Sequence, residues 1–446
     1  MNRRYLAEIC TVFALGLSLI LEVLLNGMKP WVTPDTASYL ARYSWPDCLG
    51  QPRIPLYGWF VDAITLNSGH DGLIPWVQFL LFSICCLFFV KALATLNLDQ
   101  TARAAAGISL GLSNVILIWC RALMPTVPAV SFLLVAMSGV IWMTAQKPRN
   151  DWGICLLIGL ATALAWLLDP GLLLFILVLP LMFWPLSAVQ NGRQRVKKSG
   201  MIFVACLAPF LAMSSLRAAE VGDFNIVSFG GFQMSGMASL ILSPATIDRI
   251  APPFRPLAAA ILAGRTKQEL NGTTIATPAN SVGQRSFPSE AIGYFDILAR
   301  THDSVVYGAV AAQRGQGESW VAFNKRLEFF SIAAIRANPV NYIAWVIGGL
   351  SRLVGHALVL NPIFIVPAAL SLLLFLGFPS SFESSGGAAG IAPLRLIIFF
   401  YTVGATLLTV LITFPAQRYI DVGGAMLAAL PIYTLMRQVR TITGRA

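Results

Sequence analysis

Charged side chains are scarce in this chain: Asp, Glu, Lys and Arg make up 11% of its 446 residues, against 57% hydrophobic residues. With a mean hydropathy of +0.72, that composition excludes a soluble globular enzyme and points to a polytopic membrane protein. Metal and nucleotide motifs are also missing. No CxxC, HExxH, GxGxxG or GxxxxGK[ST] occurs, and the histidines His70, His302 and His356 are scattered, so neither a zinc centre nor a nucleotide-binding loop is supported. Six cysteines, Cys10, Cys85, Cys86, Cys120, Cys155 and Cys206, fall in or at the ends of apolar runs, where a thiol behaves as a small hydrophobe. Only Cys48 lies in a polar loop, which rules out a disulfide framework and leaves a Cys48–Cys120 pair as the one candidate. Internal repeats are absent, which argues against an inverted-repeat transporter.

Acid is scarcer than base, 20 residues against 31, for a net charge of +11. The excess could suggest nucleic acid, but most of it sits in short connectors flanking apolar runs, where it sets orientation. No nucleic-acid partner is expected.

What the chain has is a succession of apolar runs near the length of a bilayer span. Arg3 and Arg4 precede a run over 6–25 that no small-residue cleavage site follows, which predicts a retained signal anchor. Further runs cover 73–93, 104–120, 127–145, 152–168, 171–189 and 201–216, then 361–378, 394–414 and 420–436. The total is about ten spans. Basic connectors alternate with very short ones. Lys147 and Arg149 mark 146–151, and Arg193, Arg195, Lys197 and Lys198 mark 190–200. These connectors, the 380–392 loop and the tail 437–445 are expected on the cytoplasmic face, with 33–71 and 217–358 outside.

Three parts follow: an N-terminal transmembrane module over 1–217 with a first outside loop at 26–72, a periplasmic and interfacial segment over 218–358, and C-terminal helices over 359–446. GGFQMSGMASLIL and FRPLAAAILAG, in the middle part, are too apolar for a disordered linker. They predict short helices on the membrane surface or against the bundle. Residues 342–360 could hide a span, but a crossing there would place the basic tail outside, so they too are expected to be interfacial.

The first outside loop carries the chemistry. Asp35, just past the first span in a segment rich in Tyr and Arg, could take a proton from a hydroxyl or hold a divalent cation such as Mg or Mn. The plainer alternative is a cap: Thr33 or Asp35 before ASYLARY would satisfy the free amides of a short helix. Asp169, beside Pro170 at the outer end of the fifth span, is a second candidate acid, since an ionisable group at that depth is costly. It too could be an amino-terminal cap, for the sixth span. Arg53, Arg121 and Arg418 all map to the outer face, as phosphate contacts or as side chains snorkelling to the headgroups.

The order of an apolar leader, PDTASYL (34–40) and RIPLYGWF (53–60) resembles the first external loop of the GT-C glycosyltransferases, integral membrane enzymes that take a sugar from a polyprenyl phosphate. RANPVNYI (336–343) is similar to the NP-x-x-Y segment ahead of the last spans in many bacterial members, including the family 39-like proteins. AQRYIDVGGAMLAALPIY (416–433) is similar to their RY-then-Pro ending. The matches touch both ends of the chain and leave the middle uncovered. Where the protein-mannosyltransferase and aminoarabinose-transferase branch has Asp-Glu, this chain has Asp35-Thr36, a departure from that branch.

The resemblance implies an all-α, GT-C-like bundle in a bacterial inner membrane, with periplasmic interfacial helices and the site facing the periplasm. It places Asp35 as the catalytic acid of the loop. A second acid usually stands in another external loop, and Asp169 fits best by position. A polyprenyl-phosphate-linked sugar would be the donor, and a glycan, lipid or protein the acceptor, within membrane lipid. Arg53, Arg121 and Arg418 would hold the donor phosphate, with Tyr39, Tyr57 and Tyr419 as substrate contacts. A base opposite the departing phosphate would invert the anomeric carbon. Two other classes stay open: a polysaccharide polymerase or ligase using a lipid-linked oligosaccharide, and a lipid-linked-sugar transporter, which few mid-span charges favour.

Overall fold

A computed structural model describes residues 5–33, 35–66, 71–145, 150–270, 308–359, 361–377, 388–412 and 417–443. His70, His302, the 146–149 connector and most of the 380–392 loop lie outside the described residues. Caps written into the sequence start and stop the helices. Helix α1 (Leu6–Asn26) ends where Gly27 takes a left-handed φ of 63° and its N–H bonds the Val23 carbonyl at 3.0 Å. Two short helices, α2 (Thr36–Leu40) and α3 (Leu56–Thr65), shape the first polar loop before α4 (Ile74–Ala92). Asp99 accepts from the Ala102 N–H at 2.6 Å to start α5 (Gln100–Gly111). After α6 (Asn114–Leu117) and α7 (Thr126–Met143), Asn150 caps α8 (Asp151–Leu168). Then come α9 (Phe175–Leu186) and α10 (Gly192–Val221), the latter opened by Asn191 and closed by Gly222 at φ 70°.

The second polar segment holds α11 (Gly230–Ile241), α12 (Pro244–Ile247), α13 (Arg255–Leu270), α14 (Gly308–Ala311) and α15 (Trp320–Ala337). Next, α16 (Pro339–Val354) runs on through Gly355–Val359, and α17 (Pro362–Gly377), α18 (Ala388–Ile412), α19 (Gln417–Gly424) and α20 (Ala429–Ile442) follow. Among the described residues the extended pairing is a single bridge, Trp31 with Ala122. Among the described residues eight helical runs are long and apolar enough to cross a membrane, and Pro170–Leu186 and Pro362–Leu376 are shorter apolar helices. The chain is an all-α, polytopic membrane protein.

One expected span differs. Over 104–120 the helix stops at Gly111, where the Ser113 hydroxyl bonds the Leu110 carbonyl at 2.7 Å, and only the short α6 follows. Here α5 is an interior helix wedged between α1, α4 and α20. A Cβ on Gly107 would stand 1.8 Å from the Thr11 Oγ1, so glycine is what lets α5 lie against α1.

Long-range hydrogen bonds sort the connectors to two ends. Gln190 donates to the Met143 and Thr144 carbonyls at 3.1 and 3.0 Å, Arg440 bonds Thr101, and Arg103 pairs with Glu8. This end carries Arg193, Arg195, Lys197, Lys198 and Arg437. At the other end the Trp31 N–H bonds the Arg121 carbonyl at 2.7 Å, and the Leu123 N–H returns to the Trp31 carbonyl at 2.9 Å. Gln78 ties in the same turn through the Cys120 and Ala122 carbonyls at 2.9 and 3.1 Å. All seven cysteines are free thiols, Cys48 and Cys120 included.

The middle segment builds a core of its own, in which Leu242, Ile261, Val310, Phe323, Leu327 and Phe330 are buried together. Here α11 packs on α15 at a backbone crossing where a Cβ on Gly231 would stand 2.0 Å from the Asn324 carbonyl oxygen. The Pro339–Val359 run, expected to be interfacial, is among those long and apolar enough to span. Its contacts nevertheless tie both ends to one end of the bundle. Tyr342 donates to the Leu411 carbonyl at 3.0 Å, and Ala357 lies against Gly424, two turns into α19.

Candidate active site

The end opposite the basic connectors holds a cavity of about 330 Å³, within the usual size of a ligand site. It lies between the bundle and the middle segment. Tyr39 and Arg53 reach it from the first loop, Asp169 from the α8–α9 turn, Asn324 and Glu328 from α15, and Arg418 and Tyr419 from α19. Leu173, Phe210, Ile226, Phe229 and Met234 supply apolar wall.

At the polar side, Asp35 stands between two guanidinium groups. Arg418 Nη1 donates to its Oδ2 at 3.1 Å, and Arg53 Nη2 lies 3.5 Å from its Oδ1. Aromatic rings hold both cations. The Arg53 Cζ sits 3.9 Å from the Tyr39 ring centroid and 4.9 Å from that of Phe229; the Arg418 Cζ sits 4.5 Å from that of Tyr419. Arg418 also donates to the hydroxyls of Tyr39, at 3.3 Å, and of Tyr419. Asp35 does not act as a side-chain cap. Its side chain makes no hydrogen bond to the amides of α2, whose start is tied instead by the Thr33 N–H to Thr36 Oγ1 at 2.8 Å.

Asp169 does cap. Its Oδ1 accepts from the Gly171 N–H at 3.0 Å, closing the turn Pro170–Leu172. It lines the cavity as well, and a Cβ on Gly171 would touch both that oxygen, at 3.1 Å, and the Tyr419 ring, at 3.3 Å. The cap and the cavity position therefore coexist in one residue.

Two sequence candidates fall elsewhere. Arg121, expected at the donor phosphate, points into the bundle and pairs through Nε with Glu22 of α1 at 2.5 Å; Glu22 is buried, so the nearest acid claims this cation. Tyr57, expected as a substrate contact, is buried behind Tyr39, with ring centroids 6.4 Å apart, and its hydroxyl faces Gln78 Oε1 at 3.5 Å. Burial pushes its pKa up, so it stays a protonated core hydroxyl.

The residues around Asp35 do not fit a divalent cation. Guanidinium groups stand where further oxygen ligands would be needed, and among the described residues no three His, Cys, Asp or Glu side chains cluster as a metal site.

No family model matches the chain, and no curated protein matches it. Among solved structures it is similar to ArnT from Cupriavidus metallidurans bound to undecaprenyl phosphate. The two share 14% identity over 97% of this chain and 78% of that one, with a TM-score of 0.33. So loose an overlap decides nothing about the chemistry of this chain.

Two polar groups were missed in the sequence. Asp421, buried one turn beyond Arg418, accepts from Asn114 at 2.8 Å, Trp119 at 2.9 Å and Gln417 at 3.0 Å. Trp119 stacks on Trp31 with centroids 5.6 Å apart, so Asp421 fastens the helix bearing Arg418 to the root of the loop bearing Asp35. An acid inside an apolar run was the available signal. Arg217, also buried, donates to Asp223 at 3.1 Å and Ser228 at 2.6 Å, fixing the 223–229 loop that walls the cavity. It sits at the end of a span, where a snorkelling arginine looks the same in sequence.

Proposed function

We propose that this chain is a GT-C type glycosyltransferase that moves a sugar from a polyprenyl phosphate to an acceptor hydroxyl. One observation carries the proposal: Arg53, Asp169 and Arg418 converge on one partly apolar cavity, and Asp35 pairs with both arginines beside it, the Asp35–Arg418 pair bridging 383 residues of sequence. The guanidinium groups would take the donor phosphate and the apolar wall the start of the prenyl chain. Asp35 is the base. It removes the acceptor proton as the hydroxyl oxygen bonds to the anomeric carbon, and the bond from that carbon to the phosphate oxygen breaks. The electron pair leaves with the polyprenyl phosphate, whose charge Arg53 and Arg418 balance. Attack opposite the leaving group inverts the anomeric carbon. Asp169 is held by its cap to Gly171 as a second acid facing the sugar.

The basic connectors at the far end support a cytoplasmic position for that end and, with it, a cavity facing the periplasm of a bacterial inner membrane. The acceptor is an envelope glycan, lipid or protein. The test is mass spectrometry of lipid-linked sugars and envelope glycans in a deletion strain. A polyprenyl monophosphate sugar should accumulate while one sugar disappears from an envelope glycan. Unchanged profiles would end the proposal, and accumulation of a diphosphate-linked oligosaccharide would favour a polymerase or ligase. A cysteine placed at the exposed Gln194 should resist an impermeant reagent in intact cells; labelling would invert the topology.

A further inference from the structure

The two cations assigned to the donor phosphate are both engaged by the chain itself. Asp35 meets Arg418 with one oxygen and Arg53 with the other, the two-pronged arrangement that a phosphate would adopt with the same groups. Exposure separates the partners. The Asp35 side chain is 46% exposed, whereas those of Arg53 and Arg418 are 12% and 9% exposed. The carboxylate thus covers two sunken cations from the open side.

Among the described residues no other group holds that carboxylate. It caps no helix, and α2, which carries it, is only five residues long. The cations, by contrast, have supports that do not depend on Asp35. Tyr39 and Phe229 flank Arg53, while Arg418 is held by the hydroxyls of Tyr39 and Tyr419. Among the described residues the buried Nε–H of Arg418 also has no hydrogen-bond partner, a donor that the carboxylate does not satisfy. Removing Asp35 from the pair would leave a preformed anion site.

We propose that Asp35 is a resident stand-in for the lipid phosphate. The incoming phosphate displaces it from Arg53 and Arg418, and the freed carboxylate is presented to the acceptor hydroxyl only once donor is bound. The base is then inactive in the empty enzyme, and donor must bind before acceptor. This rests on the donor reading given above.

The experiment measures binding of a polyprenyl phosphate to the full chain in nanodiscs, without any transfer. Asp35→Asn removes the competing charge and should bind on the order of threefold to tenfold tighter than wild type, the worth of a partly exposed ion pair or two. Asp35→Glu keeps the charge and should bind no tighter than wild type. Asp35→Ser replaces the Asn variant if that one fails to insert. Equal or weaker binding by the uncharged variants would overturn the proposal, as would an Asp35→Glu as tight as Asp35→Asn. Absence of binding in wild type and every variant is a different result: it removes the donor reading, and the stand-in with it.

Discussion

Two polar regions sit side by side at the same end of the bundle, the cavity around Asp35 and the knot around Asp421, and they are built on opposite plans. Beside the cavity of about 330 Å³, Arg53 and Arg418 line the wall in contact with Asp35, and that acid is half-exposed. In the knot, Asp421 and Glu22 are buried, and the open space beside Asp421 is about 10 Å³, roughly the room for one water. Asp421 is satisfied by three neutral N–H donors and Glu22 by Arg121. A buried carboxylate held by several fixed donors is a strut. One that shares two cations at the edge of a cavity is exchangeable, because water and ligand can compete for those cations.

The sharpest way to break this contrast is Arg121→Ala. It would strand Glu22 in the interior and should lower stability by about 3 kcal/mol, leaving donor affinity of the folded protein unchanged. A thermal melt in detergent paired with a donor titration checks both halves; weaker donor binding at an unchanged melt would return Arg121 to the site. Next in size is Asp35→Asn, which should cost on the order of a hundredfold or more in transfer at unchanged gel-filtration behaviour. Turnover above about a tenth of wild type, far over that expectation, would move the base to Asp169.

Smaller effects sharpen the contrast. In Asp421→Asn one of three N–H donors meets an amide N–H instead of an oxygen, at about 2 kcal/mol. The melt should fall, with transfer per folded molecule largely kept; a pH–rate profile altered at an unchanged melt would make Asp421 part of the chemistry. Tyr39→Phe removes the hydroxyl that Arg418 reaches at 3.3 Å and keeps the ring under Arg53. Donor affinity should weaken by about 1 kcal/mol, the worth of one hydrogen bond, and an unchanged donor titration would show that the ring alone positions the cation.

Most of the apolar runs and the polar first loop were legible in the sequence, and so was Asp35 as its notable acid. The Asp169 cap on Gly171 is a bond settled within two residues, which is why local composition predicts it. The 104–120 run was misjudged as one span because hydropathy does not register the turn at Gly111–Ser113. The separate core of the middle segment was illegible for another reason: Leu242 and Phe323 meet only when α11 and α15 pack.

The sequence by itself determined that this is a membrane bundle with a polar loop bearing Asp35, since hydropathy and capping are properties of neighbouring residues. Only the tertiary structure decided which arginine meets that acid. Arg121 and Arg418 both flank apolar runs at the same end of the bundle, and the local sequence of neither shows which acid it will meet. Helix packing sets Arg121 beside Glu22 and brings Arg418 to Asp35 across 383 residues. An ion pair forms with the acid that is nearest in space, because the attraction falls with distance and with intervening solvent and takes no account of separation along the chain.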